Sequence, residues 1–281
     1  LALSAGRVAP VQADCTPAAT NGPDDITCAA PYGDPYFFDS AGGDDTLTFT
    51  PVLDIATTGS ASLYTSSGSD TVILTDGSDF GISGDASLML GPGEDTLKLS
   101  SSSDIAAGSG QSVVLGENGD DLIWISNIGV VGGDGPATLA GGSGNDTVYS
   151  SDVVSFGLNP LGDATLLGNS GADLFSFHAT SFADAGQATA DGGGGADRFV
   201  FDSGSTLAAR TGSSALLLGG GGGDTLTLDG GAFAHAGAAR FDGGQGNDFI
   251  LAQQSVAFAA ATGSQAVILG GSGADSLLLT S

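Results

Sequence analysis

Ten segments between residues 43 and 275 share one core, an aspartate with a glycine two places before it, and recur at nearly even spacing. The first copies are Gly43-Asp44-Asp45, Gly68-Ser69-Asp70, Gly93-Glu94-Asp95 and Gly119-Asp120-Asp121. Gly144-Asn145-Asp146, Gly171-Ala172-Asp173 and Gly195-Ala196-Asp197 follow, then Gly222-Gly223-Asp224, Gly246-Asn247-Asp248 and Gly273-Ala274-Asp275. Successive aspartates are 25, 25, 26, 25, 27, 24, 27, 24 and 27 residues apart. A period of this length marks stacked repeats, in which one supersecondary unit recurs and cannot bury its apolar face alone.

After each aspartate apolar residues alternate with period two, as in a strand with one buried face. Leu47 and Phe49, Val72 and Leu74, Leu97 and Leu99, and Ile123 and Ile125 hold the inward places. Phe175 and Phe177, Phe199 and Phe201, Leu226 and Leu228, and Leu277 and Leu279 continue them, with Ser150 and Ala252 as interruptions. A second apolar patch precedes each turn, as in Ala86-Ser87-Leu88-Met89-Leu90. Between the two lies a stretch such as Asp104-Ile105-Ala106, whose Gly- and Ser-rich surroundings disfavour a helix. Three short strands and three turns per repeat make one coil, and coils bury their inward faces on each other. The expected fold is all-β, a parallel β-solenoid of about ten coils, with strands ~4.8 Å apart and a rod roughly 48 Å long. Residues 42–281 form this solenoid, and 1–41 a non-repetitive N-terminal segment. In that segment Pro35-Tyr36-Phe37-Phe38-Asp39 reads as the third strand of a partial coil lacking its first.

The 32 Asp and Glu against 5 Lys and Arg give a net charge of −27, while a hydrophobic share of 41% supplies a core that disordered acidic chains lack. So few cations cannot neutralise phosphates, which argues against nucleic acid or an anionic membrane surface as partner. No apolar run approaches the ~20 residues of a membrane span, so no insertion is expected. Leu1-Ala2-Leu3-Ser4-Ala5 reads as the stub of a signal peptide. Cys15 and Cys28 are expected to pair, a short-loop disulfide worth roughly 3 kcal/mol in the chain-entropy model. Such a bond fits a secreted, extracellular or cell-surface protein. His178 and His235 stand far apart in sequence, and no acid–base or nucleophile constellation is visible, so an enzyme is not expected. A polysaccharide lyase would need more basic residues. An ice-binding threonine row is broken by Lys98, Trp124, Tyr149 and Arg198.

Stacking sets equivalent aspartates one strand spacing apart along one edge of the rod. Two carboxylates at ~4.8 Å repel by roughly 3.5 kcal/mol at an effective dielectric of 20, so cations are needed between them. Calcium suits a site of carboxylates and backbone carbonyls, whereas magnesium retains its waters, and zinc prefers nitrogen and sulfur. Gly141-Gly142-Ser143-Gly144-Asn145-Asp146-Thr147-Val148 resembles the RTX, or hemolysin-type, calcium-binding nonapeptide Gly-Gly-x-Gly-x-Asp-x-apolar-x. Gly243-Gly244-Gln245-Gly246-Asn247-Asp248 and Gly270-Gly271-Ser272-Gly273-Ala274-Asp275 are similar to it as well. The resemblance implies a right-handed roll that folds on secretion into millimolar calcium. Its ligands would be the turn carbonyls with Asp45, Asp70, Asp95, Asp121, Asp146, Asp173, Asp197, Asp224, Asp248 and Asp275. Here, however, the motif occurs once per coil, so one ion row and a three-sided coil are expected rather than a flat two-sided roll. Asp54, Asp79 and Asp104 sit nine residues past the main aspartates, and the series lapses at Val130. They read either as a short second calcium row or as solvated turn aspartates.

The segment Ser276-Leu277-Leu278-Leu279-Thr280-Ser281 reads as the first strand of a further coil. Together with the partial N-terminal coil it points to head-to-tail stacking, a heterologous contact that does not close and so gives a filament. Residues Leu1–Val11 would lie on the neighbouring molecule. Outward Ile73, Leu122, Trp124, Leu174, Val200, Phe249, Leu251 and Leu278 offer a lateral packing stripe. Two alternatives stand beside the filament: a cut piece of a longer protein, and a non-polymeric RTX-type module of a secreted adhesin or exoenzyme.

Overall fold

The alternation that follows each aspartate places like residues over like when coils stack. A slip of one residue would turn every apolar side chain outward, so the register is strongly held. The computed structural model describes residues 11–12, 15–28, 36–49, 55–56, 59–127 and 129–280, and among these there is no helix. Leu47 pairs with Val72, Val72 with Leu97, Leu97 with Ile123, Ile123 with Val148, and so on to Ile250 with Leu277, all parallel. The protein is a β-solenoid of about ten turns, its coils three-sided.

Among the described residues the first face is a twelve-stranded sheet running from Cys15–Thr16 to Ser276–Leu279. The third face has eleven strands, from Val11–Gln12 to Gln265–Leu269. The second is narrow. Six two-residue strands run from Val130–Val131 to Ala257–Phe258, extended by single bridges joining Ile55, Phe80, Ile105 and Val131. Its narrowness has a local cause, because each inward residue is followed by one in the left-handed region that swings the chain away. Ala106 (φ 54°), Ala183 (φ 60°), Ala208 (φ 48°) and Ala234 (φ 61°) hold this place, all buried, and Gly81, Gly132 and Gly157 hold it elsewhere. A larger side chain would find neither the conformation nor the room.

The core fills the rod axis. Phe175 stacks on Phe199 at 5.0 Å and Phe177 on Phe201 at 4.6 Å, with Phe156 and Phe182 packed against them. The two interruptions are accommodated: buried Ser150 shares a hydrogen bond of 2.8 Å with Thr180, and Ala252 is buried beside Leu228 in the ladder. In the coil ending the described chain, inward Leu277 and Leu279 are 55% and 60% exposed.

At the N-terminal end the structure corrects the sequence reading. The coil holding Tyr36–Asp39 does have its first strand, Asp25–Cys28, parallel to Thr46–Phe49 with Ile26 beside Leu47. Cys15–Thr16 lies antiparallel on its outer edge, and a disulfide joins Cys15 to Cys28. Val11 pairs with Tyr36 of its own chain; residues 1–10 lie outside the described residues.

Candidate metal centre

Each main aspartate shares parity with the inward residues that follow it, so Asp45 points the same way as Leu47 and Phe49. The row therefore lies inside the corner between third and first faces rather than along an outer edge. Asp45, Asp70, Asp95, Asp121, Asp146, Asp173, Asp197, Asp224 and Asp248 are all at most 4% exposed. This corner is also the invariant part of the coil. From the aligned third-face residue to the aspartate is nine places each time: Ala86 to Asp95, Ser112 to Asp121, Ala137 to Asp146, Ala164 to Asp173, Ala188 to Asp197. The variation in repeat length falls in the other two corners.

One oxygen of each carboxylate has a fixed use. Oδ1 accepts the main-chain N–H of the aspartate one coil earlier, from Asp45 N to Asp70 Oδ1 at 2.7 Å through Asp224 N to Asp248 Oδ1 at 2.8 Å and Asp248 N to Asp275 Oδ1 at 3.1 Å. Oδ2 of each of the nine buried aspartates has no hydrogen-bond partner. An unsatisfied buried polar atom costs about 1–3 kcal/mol, more when charged. Burial accordingly raises the carboxyl pKa, to about 7 for Asp95, Asp121 and Asp173 and to about 6 for Asp70 and Asp224. The backbone N–H bond opposes this and neighbouring aspartates of the row add to it; Asp146 and Asp197 are raised by burial too.

The glycines show what Oδ2 faces. A Cβ on Gly116 would collide with Asp121 Oδ2 and the Gly141 carbonyl oxygen; Gly168 stands likewise to Asp173 and Gly192, and Gly219 to Asp224 and Gly243. Each slot thus brings a carboxylate oxygen of one coil toward a turn carbonyl of the next. The glycine two before the aspartate closes the turn: Gly246 has φ 132°, and a Cβ there would strike the Gly222 carbonyl oxygen. From Gly116 onward the slot glycine recurs five residues before each aspartate, at Gly141, Gly168, Gly192, Gly219, Gly243 and Gly270. In the first three copies Ser40, Thr65 and Leu90 stand there instead.

Two oxygens of unlike residues, a carbonyl and a carboxyl once it has lost its proton, fit a hard cation. Among the described residues no three His, Cys, Asp or Glu side chains converge on one point, so an ion here would draw on main-chain carbonyls. The donor set fits calcium best in the later corners from Asp121 to Asp248, each with a further coil beside it. Replacing Gly219 by Ala tests this, because its backbone is not left-handed and the added Cβ falls in the slot against Asp224 Oδ2 and the Gly243 carbonyl oxygen. Calcium bound at saturation, read by equilibrium dialysis, is expected to fall by about one ion per molecule.

Sequence reasoning missed one member of the row. Asp24 N–H donates to Asp45 Oδ1 at 2.9 Å, while Asp24 Oδ2 accepts from Thr20 N at 2.6 Å and Thr20 Oγ1 at 2.8 Å. Gly22-Pro23-Asp24 keeps the glycine-then-aspartate signature, but its step of 21 to Asp45 falls outside the 24–27 of the others. In the shorter series Asp54 lies outside the described residues. Asp79 and Asp104 do stack: Asp104 N donates to Asp79 Oδ1 at 3.0 Å, and Val130 N to Asp104 Oδ1 at 2.6 Å. Burial, then the charge of Asp79, lifts the Asp104 carboxyl to about 7.

A second gathering, on the outer first face, was also invisible in sequence. His178 stands between Ser176 and Asp202. Comparisons with family models, with curated proteins and with solved structures found no match for the chain.

Proposed function

We propose that the chain is a structural subunit of an extracellular filament, a calcium-stabilised solenoid whose coils stack head to tail. The observation that carries the reading is the column of buried aspartates with Oδ2 unpartnered, repeated coil after coil. Calcium held by Asp121, Asp146, Asp173, Asp197, Asp224, Asp248 and Asp275 with the turn carbonyls would supply the counter-charge that burial withholds. Asp45, Asp70 and Asp95 would hold it less well, their slots carrying side chains. The resemblance to RTX repeats agrees with this donor set, and the Cys15–Cys28 disulfide agrees with an oxidising compartment. Leu277 and Leu279 expose surface of the kind a further coil covers. Trp124 and Phe249, each 38% exposed, with half-buried Ile73, Leu122, Leu174, Val200 and Leu251, would serve lateral contacts.

One observation favours the second reading, a non-polymeric calcium module of an adhesin or exoenzyme. The antiparallel strand Cys15–Thr16 sheathes the first-face edge, as the caps of monomeric solenoids do. Negative-stain microscopy separates the two. Fibres in millimolar calcium that disperse on chelation are the expected result; uniform short rods in calcium would leave the module as the better description.

A further inference from the structure

We infer that Ser176, His178 and Asp202 form a nucleophilic relay on the outer first face, with Ser176 Oγ competent to take an acyl group from an activated ester. Ser176 lies in the strand Leu174–Phe177, and His178 follows it, two residues on and so on the same side. Asp202 follows the next coil's strand Arg198–Phe201, in which Phe201 pairs with Phe177, so the register sets Asp202 beside His178. Ser176 Oγ is 3.0 Å from His178 Nε2, and His178 Nδ1 is 3.1 Å from Asp202 Oδ2. This is the order a general base needs: one ring nitrogen on the nucleophile, the other on an orienting carboxylate.

The carboxylate is built in rather than draped on the surface. Its Oδ1 accepts from Ala179 N at 3.0 Å, Gly204 N at 3.1 Å and Ser205 Oγ at 3.0 Å, leaving Oδ2 to the imidazole. Burial alone would raise this carboxyl, but those bonds and the one from His178 outweigh it and hold the pKa below the usual range. The Tyr149 ring lies 5.2 Å from the imidazole and limits its tilt. His178 and Asp202 side chains are 38% and 33% exposed, while Ser176 beneath them is 8% exposed, so a reagent meets the imidazole edge first and only a slim acyl group reaches Ser176 Oγ. The group is also independent of the aspartate row, since Asp173 and Asp197 face inward and the relay outward.

In the reaction Ser176 Oγ attacks the ester carbonyl carbon and its proton passes to His178 Nε2, the imidazolium being stabilised by Asp202. The carbon–oxygen bond to the leaving group breaks, and the leaving oxygen takes that proton. Water then releases the acid from acyl-Ser176 by the same relay. The strand of Ser176 is paired on both edges, so its N–H groups serve the ladders rather than an oxyanion pocket. Loss of such donors costs about 10²–10³ in rate, which restricts the relay to esters with good leaving groups.

The test treats the full calcium-loaded chain with a fluorophosphonate probe and locates the adduct by peptide mass spectrometry, fluoride being displaced by Ser176 Oγ. One adduct at Ser176 is expected, absent in Ser176→Ala, whose calcium-dependent melting stays that of the parent. His178→Ala is expected to slow labelling by about 100-fold or more, with added imidazole restoring part of the rate. For Asp202, a positioning residue, Ala should slow labelling and Glu regain part of it. No adduct at Ser176, or equal labelling rates in the parent and His178→Ala, would overturn the inference and reduce the trio to a surface hydrogen-bond cluster.

Discussion

Chelating calcium at about pH 7.5 is expected to melt the rod, with loss of the parallel-sheet circular dichroism signal at temperatures where the loaded protein is folded. Extracellular calcium modules bind with dissociation constants of about 10⁻⁴–10⁻³ M. At an ion concentration about ten times the dissociation constant each site adds about 1.4 kcal/mol to stability. Across the six slots from Gly116 to Gly243 this approaches about 8 kcal/mol, comparable to the whole stability of a typical domain. The carboxylates would then face each other at one strand spacing with Oδ2 unpartnered. A rod whose melting temperature is the same in calcium and in chelator at that pH would refute the metal row.

Acidifying the chelated protein is expected to bring the fold back. In the unfolded chain these carboxyls titrate near their ordinary 3.8, whereas in the rod Asp95, Asp121 and Asp173 titrate at about 7 and Asp70 and Asp224 at about 6. Between those values the folded state binds more protons than the unfolded, so metal-free stability falls as pH rises. The stabilisation is fully present below about pH 4 and is lost as pH climbs through about 6 to 7. Calcium and protons compete for the same oxygens, so calcium should raise the melting temperature most above about pH 7 and least near pH 5. Thermal melts across this range, with and without chelator, check both signs. Metal-free stability that rises between pH 5 and 7.5 would show that the carboxylates are not held as the structure places them.

The same corner explains why the two effects share one row. Oδ1 is spent on the N–H of the preceding coil, and only Oδ2 is left for a proton or an ion. A side chain in the slot changes that choice, as at Thr65, whose Oγ1 lies on the Leu90 carbonyl oxygen. The first three corners should therefore respond less to calcium than the later ones.

Much of this was legible in the chain itself. Period-two alternation after each aspartate specifies which side chains are buried, and the even spacing specifies that coils stack in register, because both depend only on neighbours along one strand and on identical repeats. Leu47, Ile123, Phe177 and Leu228 needed nothing more. The row of aspartates was visible for the same reason. Tertiary structure alone decided that those carboxylates point inward, since that depends on where the turn ends relative to the strand. It alone placed Asp25–Cys28 in the first coil, where an irregular step of 21 residues hid the stacking. It alone set Asp202 against His178, because residues 24 apart meet only when one coil lies upon another.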